Sequence, residues 1–159
     1  MKTSIRIKRV ASKKQLDAAF AIRGRVFVLE QGVPDTVEID RDDERATHLL
    51  AFAAGKPVGT ARIVLRKRTA KIGRMAVLKS HRGRGIGKAL LARAIATARR
   101  KRARTIYLHA QLAVIAFYQS MGFRAVGSNF EEAGIAHRKM IHRPATPRTG
   151  LRRFVPKAK

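Results

Sequence analysis

Ser80-His81-Arg82-Gly83-Arg84-Gly85-Ile86-Gly87-Lys88 sets three glycines between an apolar run, Ala70 to Leu78, and a helical pattern. Ile86, Leu90, Leu91, Ala94, Ile95 and Ala98 recur at helical spacing, so a long helix opens at the glycines. A strand, a glycine loop and a helix N-terminus together suit phosphate. Small residues let the backbone approach closely, the N–H groups converge, and the helix dipole favours negative charge. Arg82, Arg84 and Lys88 add to that field. A Walker A loop is ruled out, because Gly83 and Gly87 stand too close together and Ala89 occupies the magnesium-binding Ser/Thr position. A dinucleotide fingerprint is ruled out too: Lys88 takes the place of its third glycine, and no acid follows within the next forty residues. The other reading of these residues is an Arg-Gly turn facing RNA or solvent.

Outward from the loop, the pattern is that of a sheet. Val58 to Leu65 and His48 to Ala54 are apolar runs separated by Gly55-Lys56-Pro57, which reads as a hairpin. With the basic turn Arg66 to Arg68, the Ala70 to Leu78 run makes an antiparallel meander. Ser4 to Val10 alternates as a first strand, and Ser12 is placed to cap a helix carrying Leu16, Ala19, Phe20, Val26 and Phe27 toward Gly32. Downstream the expectation is a strand Thr105 to Ala110, a helix Gln111 to Met121 closed by Gly122, and strands Phe123 to Phe130 and Ile135 to Ile141. The sum is an α/β fold on a mixed, mostly antiparallel sheet of about seven strands.

A chain of 159 residues and 17.7 kDa is enough for one domain with a real core. That domain is expected over residues 1–142. Residues 143–159, with Pro144, Pro147, Pro156 and six Lys or Arg, read as a basic, flexible tail. Lys plus Arg number 36 against 10 acids, a net charge of +26, so the surface must attract polyanions. Seven of the ten acids lie between Glu30 and Glu44, and none from Arg45 to Phe130. That acidic stretch reads either as a solvated loop or as a funnel for a cationic acceptor. The absence of cysteine excludes disulfides, thiolate metal sites and cysteine nucleophiles. No apolar run reaches the roughly 18 residues that span a bilayer, which gives the expectation of a soluble, cytoplasmic protein with no membrane partner.

A second motif is Phe117-Tyr118-Gln119-Ser120-Met121-Gly122-Phe123. On the expected helix, Gln111, Ile115 and Tyr118 fall on one face, aiming an amide and a phenol the same way. Taken alone, Tyr118 reads equally as a packing residue. With the glycine loop, the chain resembles the GCN5-related N-acetyltransferase superfamily. Its signature Gln/Arg-x-x-Gly-x-Gly/Ala is matched by Arg82 to Gly87, and its preceding strand by Gly73-Arg74-Met75-Ala76-Val77. A narrower likeness, to the ElaA-like subgroup, rests on Arg25 to Gln31, Leu108-His109-Ala110-Gln111, Phe117 to Phe123 and Glu131 to His137.

The resemblance implies an acyltransferase that moves the acetyl group of acetyl-CoA to a small-molecule or peptide amine by direct transfer in a ternary complex, with no metal. It implies that Arg82, Gly83, Arg84, Gly85, Ile86 and Gly87, with Lys88, hold the pyrophosphate. Met75, Ala76 and Val77 would pair with pantetheine like an extra strand, between their own strand and that of Tyr107. Gln111 stands where the family commonly has Asn, and Tyr118 where many relatives carry the general acid. Base candidates near the implied acceptor site are Glu38, Asp40, Glu44, His48 and His109, with Glu44 and the two histidines foremost. Ala136 replaces the subgroup's usual Pro and restores an N–H. A homodimer is a further expectation from relatives. The five histidines lack zinc spacing and the serines a nucleophile elbow. A reading of another class is a basic nucleic-acid-binding module on the same scaffold without acetyl transfer, motivated by the charge and by Arg99 to Arg104.

Overall fold

The computed structural model describes residues 4–143. Seven strands form one mixed sheet in the order β1-β2-β3-β4-β5-β7-β6. β1 (Ile5–Arg9), β2 (Thr47–Ala53), β3 (Lys56–Arg66) and β4 (Thr69–Val77) pair antiparallel in sequence. α3 (Ile86–Arg100) then carries the chain to β5 (Thr105–Gln111), which pairs parallel with β4. β6 (Phe123–Glu132) and β7 (Ile135–His142) form a hairpin whose second strand pairs with β5.

Strand alternation sorts the two faces. Leu49, Ala51 and Ala53 join Ala61, Ile63, Ile72, Ile106 and Leu108 under the apolar stripe of α3, Ile86, Leu90, Leu91, Ala94 and Ala98. Leu50 and Ala76 point the other way, onto Ala19, Ile22 and Val26 of the helical segment after β1. Each Leu or Ile so buried contributes about 1.5–3 kcal/mol, so α3 is held chiefly by this stripe. Gly59 sets how closely α3 approaches β3. A Cβ there would lie 3.0 Å from the Leu90 side chain and 3.2 Å from the Ala76 carbonyl oxygen, which is backbone and cannot swing away. Gly59→Ala is therefore expected to lower unfolding stability by about 1–3 kcal/mol in urea titration; an unchanged midpoint would contradict this packing.

Several expected elements differ in the fold. The helix from Ser12 to Gly32 is two pieces. Ser12 does cap α1 (Lys13–Arg23), accepting from the Gln15 N–H, but Gly24–Glu30 continues as a π-helix. Its wider bonds, such as Gln31 N–H to the Val26 carbonyl, leave no trace in 3.6-residue periodicity. The acidic stretch forms α2 (Asp35–Glu38) and a 3-10 turn, Arg41–Glu44, closed by a capping box between Asp40 and Asp43. Gln111 is not helical: it ends β5 opposite His137, and a 3-10 turn Leu112–Val114 precedes a short α4 (Ile115–Ser120). The face shared by Gln111, Ile115 and Tyr118 on one helix therefore does not exist. β6 runs two residues past Phe130, and Ala133-Gly134, both left-handed, make the two-residue turn to β7. From residue 144 on, the expected basic tail lies outside the described residues. Among the described residues no helix is long and apolar enough to cross a membrane.

Candidate active site

The sheet parts in its middle. β4 and β5 pair only at Thr69↔Thr105, Ala70↔Ile106 and Lys71↔Tyr107, while β4 keeps pairing with β3 out to Val77 and β5 with β7 out to Gln111. A bulge drives the parting: Thr60↔Ala76 and Arg62↔Gly73 leave Arg74 and Met75 opposite one residue of β3, and Arg74 sits at φ 49°. Two strand edges with unpaired backbone groups thus face a cleft of about 750 Å³. Met75, Ala76 and Val77 line it on one side, Leu108, His109 and Gln111 on the other.

At one end lies the glycine loop. Gly83 and Gly85 take φ of 77° and 80°, a backbone that L side chains rarely adopt. Gly85 caps α3 with no side chain over the first turn, so the N–H groups of Ile86, Gly87 and Lys88 point outward without intrahelical partners. These residues line the cleft, as does Arg82, whose Nε donates to the Val77 carbonyl (2.9 Å) and whose Nη2 donates to Glu30 Oε2 (2.8 Å). Arg84 is exposed and does not line it.

Tyr118 stands at the middle, edge-on to Phe117 and Phe123, with its hydroxyl 4.0 Å from Met75 Sδ. Burial pushes the phenol up to about 12, so it stays protonated at neutral pH. Across the mouth, Gln111 Nε2 donates to Gln31 Oε1 (2.9 Å), tying β5 to the end of the π-helical segment.

The far end is polar. His109 Nδ1 lies 3.2 Å from Glu132 Oε1; a carboxylate only accepts, so Nδ1 carries the hydrogen, and in the neutral ring Nε2 holds the free lone pair. That hydrogen bond, with Lys71 adding, outweighs burial and holds the Glu132 carboxyl at about 2. Glu132 Oε2 also comes within 3.8 Å of His137 Nε2. Lys71, half-buried here, has its pKa lowered by desolvation. No group of three or more His, Cys, Asp or Glu among the described residues is arranged to hold a metal.

Not every expected base reaches this cleft. His48 is buried outside it, its Nε2 3.0 Å from the Asp43 carbonyl oxygen and its ring edge-on to Phe20. Glu44 is exposed on the 3-10 turn. The acidic stretch is neither a solvated loop nor an open funnel, because its key acids are paired in the interior. Arg23, 1% exposed, reaches both Glu38 and Asp43. Arg62 Nη1 bonds Asp40 (2.7 Å) and Asp43 (3.0 Å), and Arg74 Nη2 bonds Asp40 (3.1 Å). Arg62 and Arg74 also form part of the cleft wall, so this network braces it. Sequence reasoning missed Arg23, Arg62, Arg74, Lys71 and Glu132. For Glu132 a signal existed: extending the last hairpin by two residues brings it beside His109.

Comparison with known proteins agrees with this architecture. The family model described as acetyltransferase (GNAT) domain matches residues 8–143. The uncharacterized N-acetyltransferase YjcF of Bacillus subtilis (strain 168) is 35% identical over 131 residues, covering 82% of this chain and 94% of its own length. Protein ElaA of Escherichia coli (strain K12) is 35% identical over 132 residues, covering 79% of this chain and 86% of its own. The crystal structure of Escherichia coli ElaA superposes with a TM-score of 0.79 at 31% identity, over 88% of this chain and 100% of that one. An acyl-CoA N-acyltransferase from Pseudomonas aeruginosa gives 0.73 at 29% identity, over 89% and 99%.

Proposed function

The chain belongs to the GNAT acetyltransferase family, with ElaA among its relatives, and from that premise we propose that it transfers acetyl from acetyl-CoA directly to an amine. The observation that carries this reading is the cleft between β4 and β5, with free backbone edges, a helix N-terminus at one end and a His–Glu pair at the other. The loop amides of Gly83 to Lys88 take the pyrophosphate, and the edge of Met75 to Val77 pairs with the pantetheine amides, so the thioester arrives beside Tyr118. Arg82, held by Glu30, shapes the start of the loop.

The acceptor must attack as a neutral amine. For a lysine-like amine of pKa about 10.4, deprotonation at pH 7 costs about 4.6 kcal/mol, which a base must help supply. His109 is that base, with Glu132 a positioning residue that fixes its tautomer. One ammonium proton passes to His109 Nε2, the nitrogen–carbon bond forms and the carbon–sulfur bond breaks, the departing sulfur takes the Tyr118 proton, and the second nitrogen proton returns to the Tyr118 oxygen. A phenol held at about 12 is a reluctant acid toward a thiolate in water. Tyr118 therefore acts first as a hydrogen-bond donor, and transfer completes as the sulfur, in the same dry site, becomes more basic.

The test is thiol release from acetyl-CoA across a panel of small amines and peptide N-termini, then His109→Gln with the best acceptor. The expected kcat loss at pH 7 is about 10²–10³-fold, with log rate rising at unit slope with pH as the amine deprotonates in solution. A variant with an unchanged profile would remove His109 from the mechanism; no thiol release with any amine would count against the reading as a whole.

A further inference from the structure

The acids and bases of this chain are distributed unequally in space. Around the cleft, Arg23, Arg62, Arg74 and Arg82 each have a carboxylate partner. At the pole beyond the cleft's polar end, the β3–β4 turn, Lys67-Arg68, meets the corner from Arg99 to Arg104. The N–H groups of Arg104 and Thr105 both donate to the Arg68 carbonyl, at 2.7 and 3.2 Å, which fixes the two cationic loops as one surface. Lys67, Arg68, Arg99, Arg100, Lys101, Arg102 and Arg104 are all exposed there. None has a carboxylate within 4.0 Å among the described residues; Arg99 instead donates to His142 Nδ1 (3.0 Å), and only Arg66 of this turn is paired, with Asp42.

The backbone at this pole is unfavourable for the residues it carries. Lys67 sits at φ 54° and Arg102 at φ 63°, left-handed positions that Gly or Asn would take with less strain. Cations stand at both. The surface also lies away from the cofactor end: β4 runs from the pole at Thr69 to Val77, about 25 Å at strand rise, and none of the seven lines the cleft.

We propose that this pole is a docking surface for the phosphate backbone of duplex nucleic acid. The charge is dense, carried on a backbone fixed by the Arg68 bonds and unpaired with carboxylates among the described residues, which suits a chain of regularly spaced phosphates. A duplex fits better than a single strand, because the chain has no Trp and the rings beside these cations are already engaged, Tyr107 by Lys139 at 4.7 Å and His142 by Arg99 and Phe123. Binding is independent of sequence and of acyl transfer.

The test is anisotropy of the full chain with an RNA duplex of about 20 base pairs across about 50–300 mM KCl. Each contacted phosphate adds about −0.9 to the slope of log K against log salt, so a slope of about −4 to −6 is expected. The triple variant Arg68→Gln, Arg100→Gln, Arg104→Gln should lose about 2–3 from that slope and at least about tenfold in affinity at 100 mM salt. The triple Arg6→Gln, Lys14→Gln, Lys56→Gln removes the same charge from exposed positions elsewhere and should change affinity less than about twofold. Equal weakening by both triples, absence of duplex binding at 100 mM salt, or equally tight binding of polyglutamate or anionic vesicles would overturn the proposal.

Discussion

Tyr118→Phe is expected to lower kcat by about 10²–10³-fold while leaving the affinity for acetyl-CoA and the fold intact. The separation follows from geometry. Among the described residues the hydroxyl's one partner within bonding reach is the weak acceptor Met75 Sδ at 4.0 Å, so no buried oxygen or nitrogen there is orphaned by its loss. The ring contacts with Phe117 and Phe123 survive in phenylalanine. What disappears is the donor aimed at the departing sulfur. The same substitution has a second signature. Folding raises the phenol from 10.0 to about 12, so the native state holds its proton longer than the unfolded chain. Native stability is unaffected below pH 10 and falls as pH rises from 10 to 12, by about 3 kcal/mol for two units. Tyr118→Phe abolishes that alkaline loss. Unchanged turnover would refute the acid role, and an unchanged alkaline transition would refute the burial that underlies it.

Asp43→Ala is expected to cost about 3–5 kcal/mol in chemical denaturation, the largest stability loss of any change considered. Asp43 accepts from Arg23 Nη1 (2.7 Å) and Nη2 (3.1 Å), from Arg62 Nη1 (3.0 Å) and from the Asp40 N–H (3.0 Å). Removing it leaves Arg23 buried with one carboxylate where there were two, and opens the capping box of the 3-10 turn. Burial alone would raise the Asp43 carboxyl. The hydrogen bonds from Arg23, Asp40 and Arg62 outweigh it and hold the group well below the usual carboxylate range. With a depressed folded value, its contribution is present above the unfolded value near 3.8 and is lost as pH falls toward the folded one. The variant should therefore show a flatter acid limb than the wild type. A stability change under about 1 kcal/mol would mean that the network does not brace the cleft wall.

The parts of this fold that could be read in sequence are those whose cause is local. The glycine loop, the stripe of α3 and the three meander strands each carry their signal within about fifteen residues. The π-helical segment was hidden because Val26 and Phe27 fit an ordinary helix as well as a wider one. Gln111 was misplaced because the helical pattern begins at a 3-10 turn and not at the strand end. The acidic stretch was misjudged for a different reason: Glu38, Asp40 and Asp43 find their partners 15 to 36 residues away, at Arg23, Arg62 and Arg74, which only the folded sheet brings together. His48 and His109 both sit on strands, and nothing local distinguishes the histidine that packs on Phe20 from the one that meets Glu132 in the cleft. The charge of +26 is plain in the sequence, but the meeting of two basic runs is not, since Arg68 and Arg104 are brought together by backbone bonds across the fold.

Acyl-CoA binding in the cleft is tested by calorimetric titration of acetyl-CoA at about 0.5 M salt, where the Debye length is only a few ångströms and diffuse attraction of phosphate to a basic protein is screened. The expected result is saturable 1:1 binding that survives the salt, is not matched by pyrophosphate alone, and is lost in Gly85→Glu, where a side chain and a negative charge enter a left-handed position at the start of α3. Heat that fades with salt, or binding untouched by Gly85→Glu, would contradict the assignment of this cleft to an acyl-CoA.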